Sequence, residues 1–344
     1  MKAIAKTERV PGAVKIIDAP MPNVPYGYVL IKVQAAAICG SDLHVLESPP
    51  GYEFMKIPCI LGHEYSGIVE SVGEGVSQFK VGDLVMAESN QFCGRCSNCH
   101  KGLTNICENN KMTGIHVDGG MAEFIAVPEV IVHRLPEGVS FSEAAVGQPC
   151  SISFHAVFDN SDIVPADDVV VFGPGIVGLL AAQAAKMMGA KRIAVVGTEA
   201  DLKNRLSKAK EMGFFPIVID NNDLVKQIEF YFGSSHVDVV VECSGGISAV
   251  TQGLNIIRKG GSVTLVGIYS KSVEIPLTNL IRNEIRIHTS YTGTWKNYEQ
   301  ALLSIKSRNL DLKPLISNYL FDDGLQAFQD QIDKKILKAV LTFQ

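Results

Sequence analysis

The stretch VVVFGPGIVGLLAAQAA, residues 169–185, runs from a short apolar segment through a glycine-rich turn into a helical pattern. The β-branched residues before the turn are typical of a strand that is covered on both faces. The small and aliphatic residues after the turn are typical of a helix that packs on such a strand. Strand, tight turn and helix in this order predict the first half of a β-α-β unit.

The segments that follow continue the same alternation. Apolar strands are predicted at KRIAVVG, FPIVID, VDVVVEC and GSVTLVGIY, with a helix at KNRLSKAKEMG. Buried strands that alternate with helices indicate a parallel sheet, so the expected class is α/β with a doubly wound sheet. Residues 1–150 instead read as many short β segments separated by turns, and the segment after about 290 interrupts the alternation. We expect that last segment to return to the first domain.

The glycines of the opening stretch have the G-x-G-x-x-G spacing that binds dinucleotides when it joins a strand to a helix. Gly173 would allow the tight turn, Gly175 would let a pyrophosphate approach the backbone, and Gly178 would let helix and strand pack closely. The helix N-terminus would supply N–H donors. The predicted phosphate-binding loop therefore comprises Gly173, Pro174, Gly175, Ile176, Val177 and Gly178.

The end of the second strand bears on which dinucleotide is bound. An acidic residue there would bind the ribose of NAD, but the strand ends in Gly197 and Thr198. Thr198 and Arg205 can donate to a 2′-phosphate, whereas Glu199 and Asp201 weigh against one. The sequence favours NADP over NAD, and an Asp at position 197 would be expected to move the preference toward NAD.

Four cysteines lie close together in FCGRCSNCHKGLTNIC, residues 92–107, with the spacing C-x2-C-x2-C-x7-C. A four-iron cluster normally uses a shorter last gap followed by proline, and disulfides are uncommon in a cytosolic chain. A short loop with two-residue gaps suits tetrahedral zinc, which would be structural. The predicted ligands of this site are Cys93, Cys96, Cys99 and Cys107.

A second group of ligand types lies upstream, in ICGSDLHVLE (38–47) and ILGHEYSG (60–67). Cys39, His63 and Glu64 suit a zinc ion with one open position. Ser41 and His44 could pass a proton to solvent, and Asp42 could accept the second N–H of a ligand histidine. Each residue also has a plain structural alternative, such as a buried core cysteine or a turn histidine.

Composition and charge exclude several classes of protein. The formal net charge of −5 and the pI near 5.9 give no electrostatic basis for binding nucleic acid. No apolar run approaches the roughly 20 residues that span a bilayer, and the N-terminal residues lack a secretion signal. We therefore expect a cytoplasmic protein without a membrane partner, whose eight cysteines are thiols or metal ligands.

The motifs together resemble those of the zinc-containing medium-chain dehydrogenases/reductases. CGSDLH, GHEYSGIVESVG, VGDLVMAES, the four-cysteine segment, DGGMAEFIAVP and the glycine stretch occur in that family's order. The polyol (sorbitol) dehydrogenases are most similar, with the threonine dehydrogenases close. The resemblance implies a GroES-like catalytic domain at 1–150, with a zinc lobe at about 90–110, completed by 289–344. It implies a Rossmann domain at 151–288.

The resemblance also implies roles for particular residues. Cys39 and His63 match the ligands of the catalytic zinc, Glu64 a ligand or a close neighbour, and Ser41 and His44 the proton relay. In VGQPC, Gln148 replaces a glutamate that faces the zinc in the polyol branch, and Cys150 is a possible substitute ligand. Gly267 is a predicted coenzyme contact; Lys338 is predicted either to reach the coenzyme pyrophosphate or to be a surface lysine.

The implied reaction is a zinc-assisted hydride transfer between a secondary alcohol or polyol and NAD(P), with one catalytic and one structural zinc per chain. Two alternatives remain: a threonine-type amino-alcohol dehydrogenase, or a family member that binds NADPH without catalysis. An iron–sulfur or metal-storage protein is a more distant third. The family also implies a homo-oligomer, a tetramer or a dimer, paired through an edge strand within NEIRIHTSY.

Overall fold

The chain forms two compact units in a computed structural model that describes residues 1–48, 53–219 and 223–343. The first unit comprises Met1–Gln148 and Thr294–Gln344, and the second comprises Pro149–Gly293. The first unit is thus built from both ends of the chain, and the second is inserted between them.

The strands, numbered along the chain, are β1 Lys2–Lys6, β2 Val14–Asp18, β3 Tyr28–Ala37, β4 Cys59–Ile60, β5 Tyr65–Val72, β6 Leu84–Ala87, β7 Asn90–Gln91, β8 Lys111–Met112, β9 Phe124–Pro128, β10 Val132–Arg134, β11 Asp168–Phe172, β12 Arg192–Gly197, β13 Phe215–Val218, β14 Val237–Glu242, β15 Ile257–Leu265, β16 Arg286–Thr289, β17 Ile316–Leu320 and β18 Lys338–Thr342.

The α-helices are α1 Gly40–Glu47, α2 Ser97–His100, α3 Phe141–Ala145, α4 Gly147–Phe154, α5 Ile176–Met187, α6 Ser207–Glu211, α7 Leu224–Phe232, α8 Ile247–Ile256, α9 Leu277–Arg282, α10 Trp295–Lys306 and α11 Gly324–Ile332. Short 3₁₀ turns lie at Thr104–Ile106, Glu129–Ile131, Glu199–Asp201 and Phe321–Asp323, and π turns at His155–Asp159 and Leu202–Leu206.

The second unit is built on a six-stranded sheet in the order β13-β12-β11-β14-β15-β16. Every strand pair in it is parallel, as the alternation of strands and helices predicts. Val169, Val170 and Val171 of β11 are fully buried because helices cover both faces of the sheet. Since the strands are parallel, their carboxyl ends share one edge, where β11 and β14 are neighbours.

The first unit is organised around β3, which pairs with β5, β9 and β18. A side chain at Gly67 of β5 would collide with the carbonyl of Lys32 on β3, so only glycine permits this approach. β18 comes from the C-terminal segment and pairs antiparallel with β3, with Val340 opposite Ala37. A single apolar core that includes Ile31, Tyr65 and Leu341 joins the two segments.

Among the described residues, none of the helices is both long and apolar enough to cross a bilayer.

Candidate functional site

Strand pairing in the first unit brings the predicted zinc ligands together. Cys39 follows the end of β3, and His63 and Glu64 precede the start of β5. The Ala37 N–H donates to the Glu64 carbonyl at 2.8 Å, which holds the two strand ends side by side. One ligand atom of each of the three side chains lies within 4.8 Å of the others. Residues that are distant in sequence therefore form one group of potential metal ligands.

Helix α1 begins directly after Cys39 and brings Asp42 beside this group. The Asp42 carboxylate accepts the Cys39 N–H at 2.9 Å, as in a helix N-terminal capping box. Its other oxygen lies 3.8 Å from His63 Nδ1, which is an ion-pair separation and too long for the predicted hydrogen bond. His63 Nδ1 has no hydrogen-bond partner among the described residues, although it is buried.

Lys338 of β18 does not occupy one of its two predicted positions, that of a surface lysine. It is fully buried rather than at the surface, and its Nζ lies 2.8 Å from Glu64 Oε1 and 2.9 Å from the carbonyl of Ile38. The ammonium group is thus engaged by the Glu64 carboxylate, so the prediction of a surface lysine is wrong. The pairing of β18 with β3 is the cause, since it carries Lys338 next to the end of β3.

The acidic side chains around His63 make this group of ligands favourable for a bound cation. Burial lowers the pKa of His63, but the charges of Cys39, Asp42 and Glu64 outweigh burial and raise it to about 10. Burial also lowers the pKa of Lys338, and Glu64 and Cys39 more than reverse this. Because the acidic groups outnumber the ammonium group, a divalent cation on a thiolate, an imidazole and a carboxylate fits the donor set.

Ser41 and His44, the predicted proton relay, lie on the first two turns of α1. Ser41 is half-buried and His44 is exposed, so the helix runs from the ligand group outward to solvent. A proton that leaves the ligand group along this helix would therefore move toward solvent.

Gln148, at the position where the resemblance implies a glutamate, is buried at the start of α4. Its Nε2 donates to Ser89 Oγ at 3.3 Å, and Tyr298 of α10 lies 3.4 Å from the same oxygen. The carbonyl oxygen is the atom of this amide that can bind a cation. Cys150, the possible substitute ligand, is fully buried. It lies on α4, in the part of that helix that belongs to the second unit.

The four-cysteine segment forms a closed loop between the paired strands β7 and β8. The sulfur atoms of all four cysteines lie within 4.8 Å of one another, and no disulfide links them. Backbone N–H groups point at the sulfurs: Cys93 donates to Cys107 at 3.2 Å and Cys99 to Cys96 at 3.5 Å. Such N–H to sulfur contacts stabilise thiolates, so the loop fits a tetrahedral ion with no open position.

The glycine loop connects β11 to α5 at the shared carboxyl edge of the second unit's sheet. Gly173 has φ of +95°, which favours glycine. A side chain at Gly178 would collide with the carbonyl of Gly173, whereas one at Gly175 would meet nothing within 4 Å. The loop thus leaves open space above Gly175 and at the N-terminus of α5, which is where a pyrophosphate would bind.

The predicted 2′-phosphate donors are arranged less simply than expected. The Thr198 hydroxyl donates to Asp201 Oδ2 at 2.8 Å, so the capping box Thr198–Asp201 uses the predicted donor. Arg205 Nη1 lies 3.5 Å from Asp201, and its Nε has no hydrogen-bond partner among the described residues. A Cβ at Gly197 would lie 2.8 Å from Pro174 Cγ, so an aspartate is not accommodated there without a shift.

Gly267 follows β15 at the same edge of the sheet, and its backbone packs against Glu242, the last residue of β14, and against Gly245 of the loop after β14. The spacing T-x-x-D at Thr198 signals the capping box in the sequence itself. The engagement of Glu64 by Lys338 has no comparable local signal, and sequence reasoning missed it.

Two family models match the chain: "Alcohol dehydrogenase GroES-like domain" over residues 25–137 and "Zinc-binding dehydrogenase" over residues 177–307. A sorbitol dehydrogenase of Halalkalibacterium halodurans is 34% identical, with 99% of this chain and 99% of the relative covered. An L-threonine 3-dehydrogenase of Bacillus subtilis is 34% identical over 98% of each chain. A Sinorhizobium meliloti protein, assigned as a zinc-binding dehydrogenase and solved bound to NADP, has a TM-score of 0.90. It is 27% identical, with 99% of this chain and 98% of that chain covered.

The chain therefore belongs to the zinc-containing medium-chain dehydrogenase/reductase superfamily, among relatives of the polyol dehydrogenase type. Its two units correspond in class to a GroES-like domain and a Rossmann-type parallel sheet, as the motifs predict. The chain is therefore an oxidoreductase of the zinc-type alcohol dehydrogenase family, whose members use zinc and NAD(P).

Proposed function

We propose that this chain transfers a hydride between a secondary alcohol or polyol and NAD(P), with a catalytic zinc held by Cys39, His63 and Glu64. The observation that carries the proposal is the ligand group itself, a half-buried thiol with a buried imidazole and a buried carboxylate, all within 4.8 Å of one another. The excess of negative charge that raises the pKa of His63 supports a bound cation at this place.

Zinc bound there would act as a Lewis acid toward the alcohol oxygen. Cys39 and His63 would hold the ion, and Lys338 would keep the Glu64 carboxylate in place and limit its charge. Gln148 would present a neutral amide in place of a carboxylate, with Ser89 fixing the amide through its nitrogen. A neutral ligand leaves the site one charge more positive, which favours loss of the alcohol proton.

The proton that an alcohol loses would leave along α1. Ser41 would accept it and His44, exposed on the same helix, would transfer it to solvent. The remaining task of the protein is to orient the nicotinamide, for which the open space over Gly175 supports a bound dinucleotide.

For the coenzyme we propose NADP in preference to NAD. Gly197 supplies no carboxylate, and a side chain at that position would require Pro174 to shift. Arg205 supports a 2′-phosphate because its Nε has no partner among the described residues. Thr198 is left out of the proposed phosphate site, since its hydroxyl donates to Asp201. The relative from Sinorhizobium meliloti, bound to NADP, is consistent with this choice.

A second zinc is proposed on Cys93, Cys96, Cys99 and Cys107, where it would hold the loop between β7 and β8 without taking part in the reaction. We also propose a homo-oligomer, a tetramer or a dimer, that pairs through β16, the edge strand Arg286–Thr289 of the parallel sheet.

The substrate could be a polyol or, as the second candidate, a threonine-type amino alcohol, because relatives of both activities are 34% identical to this chain. A panel of sugar alcohols, diols and L-threonine with both coenzymes separates the two. Oxidation of L-threonine alone would reject the polyol proposal.

The first test of the catalytic site is the zinc content of the wild type beside Cys39→Ala. We expect about two equivalents per chain in the wild type and about one in the variant, with loss of alcohol oxidation. Cys59→Ala is the matched control, because Cys59 is a buried thiol of the same unit that lies outside both ligand groups. About one equivalent in both wild type and Cys39→Ala would reject the catalytic zinc and favour a non-catalytic NADPH-binding protein.

A further inference from the structure

Three loops meet at the carboxyl edge of the second unit's sheet, and one buried carboxylate joins two of them. Glu242 is the last residue of β14, opposite Phe172 of β11 on one side and Leu265 of β15 on the other. It is fully buried. The loops that follow these three strands carry Gly173, Gly245 and Gly267, so Glu242 lies beneath the predicted dinucleotide site.

The donors to Glu242 come from the loops after β14 and β15. Oε1 accepts the N–H of Ser244 at 2.7 Å and that of Gly245 at 3.1 Å, and it also accepts the Ser244 hydroxyl. Oε2 accepts the hydroxyl of Tyr269. Burial raises the pKa of Tyr269, and the bond to Glu242 raises it further, so this hydroxyl keeps its proton and donates.

Close packing transmits the position of these loops to the glycine loop. A side chain at Gly267 would collide with Gly245 N and would lie 2.6 Å from Glu242 Oε2. A Cβ at Gly173 would lie 2.9 Å from the Cβ of Ser244. Each loop thus touches the next, and none of the three can shift by a large fraction of an ångström without moving its neighbour.

The carboxylate depends on each of its donors, because all of those named are uncharged. A buried ionised group needs several hydrogen bonds to offset its lost hydration. Without the Tyr269 hydroxyl, the one donor left to Oε2 among the residues that the structure describes would be Gly245 N at 3.2 Å. The segment Val266–Tyr269 would then have to open to admit water.

We propose that Glu242 and Tyr269 are positioning residues for the coenzyme: their bond holds Val266–Tyr269, with Gly267, against Ser244 and so keeps Gly173 in the geometry that binds the dinucleotide. Neither side chain needs to touch the coenzyme. The inference rests on the proposed function, because it assumes that the glycine loop binds NAD(P).

The experiment is coenzyme binding to zinc-loaded wild type and Tyr269→Phe, followed by NADPH and NADH fluorescence. We expect the Kd of both coenzymes to rise about tenfold in the variant, as for loss of a hydrogen bond to a charged group. The alcohol KM and kcat at saturating coenzyme should stay close to wild type. Hydrogen exchange should be faster at the amides of 244–246 and 266–269 and unchanged elsewhere.

Tyr231→Phe is the matched control, because Tyr231 stacks on Phe215 of β13, the far edge strand of the same sheet. Glu242→Gln is the second variant. Its amide N–H group would face one of the groups that donate to Glu242, so the coenzyme Kd should rise at least as much as in Tyr269→Phe. Unchanged coenzyme Kd in a folded Tyr269→Phe protein overturns the inference. Absence of coenzyme binding by the wild type would instead overturn the proposed function.

Discussion

Lys338 Nζ lies 2.8 Å from Oε1 of Glu64, and both side chains are completely buried in the first unit. The pair stands beside Cys39 and His63, so the proposed metal centre contains its own positive charge before any ion binds. In a zinc site this ammonium group would neutralise the charge of one acidic ligand. The net positive charge of the site would then be higher, and the ion would polarise the substrate oxygen more strongly.

Lys338→Met should lower the free energy of unfolding by about 3–5 kcal/mol, because it leaves the buried Glu64 carboxylate without the ammonium group that pairs with it. Chemical denaturation of the metal-free protein measures the change. Glu64→Gln added to Lys338→Met should restore part of the loss. Lys335→Met, which removes an exposed lysine, is the control and should change stability by less than about 0.5 kcal/mol. Equal effects of the two lysine variants would contradict the assignment.

Gly175→Ala and Gly178→Ala should fail in different ways. A methyl group at Gly175 meets nothing within 4 Å, so the variant should fold with an unchanged Tm and bind coenzyme more weakly. A methyl group at Gly178 collides with the Gly173 carbonyl, so that variant should lose stability as well. Thermal unfolding without coenzyme, beside a coenzyme titration, separates the outcomes. An unchanged coenzyme affinity of Gly175→Ala would show that the space above it is not a binding site.

Arg205→Gln should raise the KM for NADP by about tenfold or more and leave that for NAD nearly unchanged, since a charged hydrogen bond to a phosphate is lost. Lys203→Gln, which removes an exposed charge from the same turn, controls for the general electrostatic effect. Steady-state kinetics with both coenzymes measures the ratio. A parallel loss for NADP and NAD would place Arg205 outside the coenzyme site.

Cys96→Ser should remove about one zinc equivalent per chain and lower the Tm, while the alcohol KM of the remaining folded protein stays the same. Cys96 is chosen because its sulfur lies 3.5 Å from Cys99 and 3.9 Å from Cys107, at the centre of the cluster. Metal analysis, calorimetry and kinetics on one preparation suffice. Retention of two equivalents would mean that the four thiols do not share an ion.

Local patterns carried most of what could be predicted. The cysteine spacing and the glycine loop are complete within short segments, so residue type and order alone indicate their chemistry. The ligand group of Cys39 and His63 needed a resemblance, because only the pairing of β3 with β5 brings these residues together. Lys338 lies 274 positions after Glu64, and no periodicity or spacing could have linked them. Thr198 and its partner Asp201 are only three residues apart, so their T-x-x-D spacing is a local signal for the capping box that uses the Thr198 hydroxyl.

The return of the chain to the first unit orders the events of biosynthesis. Cys39, His63 and Glu64 leave the ribosome first, and the whole of the second unit is made before β18 follows. Until then β3 lacks β18, one of its three partner strands, and Glu64 lacks its ammonium partner. The inserted unit, whose sheet is drawn from one continuous segment, can fold while the chain is still growing. The metal centre thus receives its counter-charge only after the whole of the inserted unit has been made.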